Sequence, residues 1–208
     1  MFLPMRCPLC EAIGAAPCAL CARALVPAPV LAAVAGCDSV AACYRYDGVA
    51  RTLVLALKYR NRRDSTAFCA VAIAARVPAV DVVTWAPSTP SRVRARGFDQ
   101  AEVLARAVGR ELGVPARAVL RRVSRTHQTG LDAAARRQGP VFVARPSRLA
   151  GTAVLIVDDI ITTGSTFAHA AAAVRTAGAL AVHARAVAWT PRKTGSKAPG
   201  TGATRVAS

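Results

Sequence analysis

Between residues 44 and 190, apolar runs alternate with longer segments in which apolar and polar residues mix at helical spacing. "GVARTLVLALKYR" (Gly48–Arg60) and "STAFCAVAIAAR" (Ser65–Arg76) read as helices, the second with Asp64 or Ser65 as its cap. "VDVVTWA" (Val80–Ala86) reads as a strand that stops at Pro87. "FDQAEVLARAVGRELG" predicts a helix that starts at the capping residue Asp99 and ends at Gly113. "AVLRRV" and "VFVA" are short strand candidates. "AVLIV" (Ala153–Val157) is an unbroken apolar run of the kind that forms a strand buried on both faces. A helix, "STFAHAAAAVRTAG", ends at Gly178, and "ALAVHARAVAW" reads as a closing strand. Strands alternating with helices predict an α/β fold with a parallel sheet flanked by helices.

Two flanking regions break this rhythm. Residues 1–43 hold six of the seven cysteines, interspersed with prolines such as Pro4, Pro8 and Pro17. Residues 191–208 contain no acid and almost no large apolar side chain, and are expected to form a disordered basic tail. The expected organisation is therefore a cysteine-rich module (1–43), a central domain (44–190) and the tail.

Composition narrows the partners. The chain has 208 residues, 53% of them hydrophobic but only 5% aromatic, so its core is built from small side chains. The formal net charge of +17 favours phosphate-bearing partners, either nucleic acid or phosphorylated metabolites. The bases are nearly all arginine, with only Lys58, Lys193 and Lys197 as lysine; with the abundant alanine, this also matches the residue usage of a GC-rich genome. Aromatics are not interleaved with the basic runs, which argues against a stacking platform for single strands. No stretch reaches the ~18–20 apolar residues needed to span a bilayer. The start "MFLPMRCPLC" lacks a basic leader and an apolar core, so a cytoplasmic location is expected. Cysteines there read as metal ligands or buried thiols rather than disulfides.

The chemistry concentrates in "VLIVDDIITTGST" (Val154–Thr166). In open parallel sheets ligands bind beyond the carboxyl ends of the strands, where this run sets Asp158 and Asp159. Ionised carboxylates only accept hydrogen bonds, which suits a sugar diol or a hydrated magnesium ion. The loop Thr162, Thr163, Gly164, Ser165, Thr166 supplies amides and hydroxyls and leads into a helix N-terminus, a combination that suits a terminal phosphate. Diol acceptors beside a phosphate cradle describe a pocket for a ribose 5-phosphate.

A constrained turn, Pro87–Pro90, follows the first long strand, and Arg92, Arg94 and Arg96 come next at alternate positions. An extended backbone would project all three to one side, towards a pyrophosphate or a nucleic-acid backbone. Residues 121–139 add Arg121, Arg122, Arg125, Arg136 and Arg137 around His127, Gln128 and Gly130. At the N-terminus, Cys7-x2-Cys10-x7-Cys18-x2-Cys21 suits one tetrahedral zinc held by four thiolates, the alternative being buried or redox-active cysteines. Cys37 and Cys43 lack the spacing of a second knuckle pair, and Cys69 reads as a core residue. His169 and His183 read as structural or exposed.

These motifs carry a resemblance. Asp158 to Thr166 resembles the signature of type I phosphoribosyltransferases, an acidic pair followed by a T-T-G-x-T loop. "WAPSTPSRVRARGFDQAEVLARAV" (Trp85–Val108), "LALKYRNRR" (Leu55–Arg63) and "RTHQTGLDAAARRQ" (Arg125–Gln138) resemble elements of the ComF family within that superfamily, as does the cysteine-rich start. The resemblance covers nearly the whole chain up to about residue 190. It implies a type I phosphoribosyltransferase-like sheet behind a small zinc module. Asp158 and Asp159 would contact the ribose hydroxyls of phosphoribosyl pyrophosphate, and Thr162–Thr166 its 5-phosphate. Pro87, Ser88, Arg92 and Arg96, with magnesium, would hold the pyrophosphate. Arg125, His127, Gln128, Arg136 and Arg137 would lie on a loop that closes over the substrate. The family's role is in natural competence and the uptake of DNA. Two classes of function stay open: transfer of the phosphoribosyl group to an acceptor with release of pyrophosphate, or a non-catalytic competence factor. Such a factor would sense the nucleotide precursor while engaging single-stranded DNA or a partner helicase.

Overall fold

In the computed structural model, which describes residues 4–59, 65–123, 140–145 and 149–191, the apolar run at Ala153 becomes a central strand. This strand, β5 (Ala153–Ile161), pairs in parallel with β2 (Val82–Trp85) on one side and β6 (Ala181–Trp189) on the other. β1 (Ser39–Arg45) pairs in parallel with β6 and completes a sheet of order β1-β6-β5-β2. The boundary expected at residue 43 therefore falls inside a strand of the main sheet.

Both faces are covered, which is why β5 needs no polar alternation. Its Leu155 and Val157 pack among residues of α2 (Gly48–Tyr59), α3 (Thr66–Ala74) and α5 (Gln100–Leu112), including Leu53, Ile73 and Leu104. Val154 and Ile156 face the other way, towards Phe167, Ala170 and Val174 of α6 (Ser165–Thr176). This is the two-residue period of a strand. α5 starts and stops where expected: Asp99 accepts the Ala101 amide at 3.1 Å, and Gly113 ends the helix in the left-handed conformation. The expected cap of α3 is only half realised. Ser65 precedes the helix but its hydroxyl is buried without a partner, and Asp64 lies outside the described residues.

Three features depart from the sequence reading. β5 runs on to Ile161, because β6 continues alongside it with Asp158 opposite Ala186 and Ile161 opposite Trp189. β3 (Leu120–Val123) and β4 (Val141–Ala144) stay out of the parallel sheet and pair with each other, antiparallel. Residues 90–96 are not extended but form a short helix, α4 (Pro90–Arg96), after the short α1 (Ala19–Arg23) of the N-terminal segment. Thr89 accepts the Arg92 amide, Pro90 occupies the first turn and Gly97 closes in the left-handed conformation. These are start and stop signals for a helix. At ~100° per residue, Arg92 and Arg96 share a face and Arg94 points away from it, so the three do not line one side. No helix among the described residues is long and apolar enough to cross a membrane.

Candidate functional site

β5 outruns its neighbour. The β2–β5 ladder ends at Trp85 opposite Val157, so the next two residues, Asp158 and Asp159, project past β2, while Asp158 and Ile160 still pair with β6. Consecutive strand residues point to opposite faces, which divides the surroundings of the two acids. Asp159 is buried and its Oδ2 lies 2.8 Å from the Lys58 Nζ on the last turn of α2. Asp158 is half-buried, and its Oδ1 accepts the Asp159 amide at 2.8 Å. Burial and the charge on Asp159 raise the Asp158 carboxyl well above its ordinary value, and the Asp159 amide and Lys58 offset only part of this. Lys58 balances Asp159 alone, so ionisation of Asp158 is favoured only when a hydroxyl donor or a cation comes beside it.

The loop beyond is shaped for close approach. Gly164 has φ +79°, and a Cβ there would fall 2.7 Å from Val34 Cγ2, so both conformation and space require glycine. Thr163 Oγ1 accepts the Ser165 amide at 3.3 Å as α6 begins. The His169 ring, one turn further on, donates from Nδ1 to the Ser165 carbonyl at 2.7 Å, anchoring that first turn. Thr162 and Thr163 are exposed, and the N-terminus of a twelve-residue helix lies behind them. Such an N-terminus attracts anions. A cavity of about 380 Å³ runs along the loop, walled by Val30–Val34, Ile161 and Trp189.

The Pro87–Pro90 turn follows β2 on the adjacent strand. Asp99 organises it, accepting the Ser88 amide at 2.9 Å and the Ser88 hydroxyl at 3.1 Å while also capping α5. The Ser88 amide is therefore already engaged. Arg122 of β3 bridges towards the acids. Its Nη1 reaches the Pro87 carbonyl at 3.5 Å, and its guanidinium lies over the Phe142 ring. Burial lowers the Arg122 guanidinium below its ordinary value, with Arg92 pushing the same way and Asp158 opposing. Arg92 thus joins Arg122 and Asp158 in one electrostatic neighbourhood. A larger cleft of about 730 Å³, walled by Trp85, Phe98, Glu102 and Arg106, lies beside the turn without touching the acids.

Asp158, Asp159 and Thr162–Thr166 therefore share one end of the sheet, with Pro87 and Ser88 on the neighbouring strand end and Arg92 close by. Arg125, His127, Gln128, Arg136 and Arg137 lie outside the described residues. Sequence reading missed Lys58 as a site residue. The available signal was its position: it continues the buried row of α2, where the helical period calls for an apolar side chain.

The N-terminal cysteines do converge. The Sγ atoms of Cys7, Cys10, Cys18 and Cys21 all lie within 4.8 Å of one another, and those of Cys10 and Cys18 are 3.7 Å apart. Four thiolates around one ion at metal–sulfur distances of ~2.3 Å would be ~3.8 Å apart, so the set fits a tetrahedral metal. Burial opposes ionisation of Cys7, but hydrogen bonds from the Cys18, Leu9 and Cys10 amides outweigh it and hold that thiol at about 6. Burial and its sulfur neighbours push Cys21 up to about 12. Cys7 ionises readily, whereas the Cys10 and Cys21 thiols are raised. Cys37, Cys43 and Cys69 are not part of it; burial raises each thiol, and Cys43 and Cys69 belong to the core.

Residues 99–206, just over half of the chain, match the phosphoribosyl transferase domain family. No curated protein matches the sequence. Among solved structures, the chain is similar to the glutamine phosphoribosylpyrophosphate amidotransferase from B. subtilis, with 23% identity and a TM-score of 0.48 over 64% of this chain. It spans only 30% of the length of that enzyme. It is also similar to an adenine phosphoribosyltransferase from Giardia lamblia, at 20% identity over 67% of this chain and 82% of that one (TM-score 0.39). A purine phosphoribosyltransferase from Pyrococcus horikoshii is similar at 17% identity over 61% and 85% (TM-score 0.34).

Proposed function

Because the chain belongs to the phosphoribosyl transferase domain family, we propose that the β5 tip binds phosphoribosyl pyrophosphate and passes its phosphoribosyl group to an acceptor. The observation that carries this reading is the order of groups on one strand end: two carboxylates, then a loop turned by the left-handed Gly164 packed on Val34, then a helix N-terminus. Asp158 and Asp159 accept hydrogen bonds from the ribose diol. The Thr162–Thr166 amides and hydroxyls hold the 5-phosphate. As the bond from C1 to the pyrophosphate oxygen breaks and the acceptor nitrogen bonds to C1, positive charge builds on the sugar. The two carboxylates stabilise that charge from fixed positions. Arg92 and Arg96, on one face of α4 beside the Pro87–Ser88 turn, attract the departing pyrophosphate. Magnesium, bound with the substrate, neutralises further charge on it.

In the same proposal Cys7, Cys10, Cys18 and Cys21 hold a structural zinc, and the protein acts in the cytoplasm in natural competence, as its ComF-like segments imply. A second reading is favoured by the exposed Arg92 and Arg94 and the net charge of +17. It is a non-catalytic competence factor that senses phosphoribosyl pyrophosphate and engages single-stranded DNA or a helicase. Pyrophosphate release, screened with magnesium against a panel of nucleobases and amines, separates the two. The transferase reading expects release with at least one acceptor and none in Asp158→Asn/Asp159→Asn. Tight substrate binding without release from any acceptor, together with a steep loss of DNA affinity as salt rises, would favour the sensor.

A further inference from the structure

Lys58 occupies a position that its helix reserves for apolar residues. Ala50, Leu53, Val54 and Leu57 of α2 are no more than 1% exposed, and Lys58 extends their row four residues beyond Val54. A lysine ammonium is compact and strongly hydrated, and is seldom buried unless paired. Its partner is Asp159, at 2.8 Å, with only 16% and 12% of the two side chains exposed. Lys58 is also the only lysine among the described residues of a chain whose other bases there are all arginine. Its burial serves no packing need that leucine would not meet better.

The contact has a direction. Lys58 engages Oδ2 of Asp159. An ionised carboxylate offers two oxygens and about four lone-pair sites, so one oxygen tied to the ammonium leaves the other to accept a hydroxyl. The backbone of Asp159 is held as well: its amide donates a hydrogen bond to the Asp158 carboxylate, and its neighbours Asp158 and Ile160 pair with β6. Backbone and carboxylate are both fixed before any ligand arrives, which lowers the ordering cost of binding a diol.

We propose that Lys58 is a positioning residue: by holding one oxygen of Asp159 it presents the other to the ribose diol, without itself contacting the substrate. This rests on the phosphoribosyl reading of the site. It predicts that Lys58 matters only to ligands with a ribose, and only while Asp159 is present to be positioned.

The test is calorimetry of the full-length protein with three probes: ribose 5-phosphate, phosphoribosyl pyrophosphate with magnesium, and magnesium pyrophosphate. Lys58→Met should weaken both ribose-bearing probes by a similar factor, on the order of 10- to 100-fold, the usual effect of removing a group that orients a ligand-binding side chain. Magnesium pyrophosphate should bind as to the wild type. In an Asp159→Asn background, adding Lys58→Met should cost nothing further. Lys58→Gln, neutral but polar, should reproduce the pattern and serves if the methionine variant does not fold. Unchanged ribose affinity in a folded Lys58 variant would overturn the proposal. An equal loss for magnesium pyrophosphate would overturn it too, since Lys58 would then act on the pyrophosphate. Additive losses in the Asp159→Asn background would do the same. If the wild type binds neither ribose-bearing probe, the phosphoribosyl reading fails and takes this proposal with it, whereas normal wild-type binding with an indifferent Lys58 removes the proposal alone.

Discussion

The cysteine cluster at the N-terminus and the acidic tip of β5 pose one electrostatic problem and answer it differently. Each gathers groups that resist ionising together: four thiols within 4.8 Å in one, two adjacent carboxylates in the other. At the tip a mostly buried lysine from α2 pairs with one of the two acids, so that charge is balanced within the chain. In the cluster hydrogen bonds from amides and neighbouring thiols take the place of a cation, and one thiol is held down to about 6 while another is pushed up to about 12. A site whose counter-charge is internal can stand open for a substrate. Four thiols with no internal cation suit a metal as counter-charge.

The comparison can be broken most forcefully at the cluster. A four-thiolate zinc contributes on the order of 10 kcal/mol to the structure it closes. Cys7→Ser is expected to lose bound zinc and hydrogen-exchange protection at the amides of Cys7, Glu11 and Gly14, which hydrogen-bond within the knuckle. Metal content by mass spectrometry, read beside exchange at those amides, checks this; protection retained without metal would mean the thiols need no ion.

Next in size is the internal counter-charge. Lys58→Met leaves Asp159 buried without its cation, and should lower stability by about 3 kcal/mol, as breaking a buried ion pair generally does. Asp158→Asn should act in the opposite sense. The Asp158 carboxyl is raised by burial and by Asp159, so folding favours its protonated form. Stability drawn from this group therefore falls as pH rises from the unfolded carboxylate value through the raised folded one, and above that the charge is a net cost. Replacing it with asparagine should raise the melting temperature at neutral pH by the equivalent of about 1 kcal/mol. Thermal melts of the two variants at neutral pH should move in opposite directions; shifts of the same sign would mean the two acids are not divided as described.

The smallest expected effect lies away from both sites. Asp38 accepts the Val182 amide and pairs with Arg175, and its carboxyl is lowered, chiefly by that amide. Its contribution is present above the unfolded carboxylate range and is lost as pH falls through the lower folded value. Asp38→Asn should therefore matter at neutral pH and converge with the wild type in acid, a difference visible in melts taken across that range.

What could be read from the sequence was whatever local rules determine. The β5 run, the loop and α6 follow one another with distinct chemistry, so the acid pair and Thr162–Thr166 stand out in the sequence alone. α5 announced itself through Asp99 and Gly113. The alternating arginines at 92, 94 and 96 imitated a strand, and the overriding signals, Thr89-Pro90 before and Gly97 after, are short-range punctuation around only seven residues. The extension of β5 to Ile161 depends on β6 lying beside it, information that begins twenty residues later in the chain. Lys58 illustrates the limit best. Its burial could be suspected from the helical row, but its partner is about a hundred residues away and appears only when α2 packs over the sheet. The convergence of the four cysteines followed from their spacing because the two knuckles are close in sequence.

The central claim is that Asp158 and Asp159 form the ribose site, and calorimetry with phosphoribosyl pyrophosphate, with and without magnesium, tests it most directly. The account predicts binding by the wild type that strengthens with magnesium and is lost in Asp158→Asn/Asp159→Asn, in a variant whose melting curve shows it still folded. Unchanged affinity in that folded double variant would contradict it.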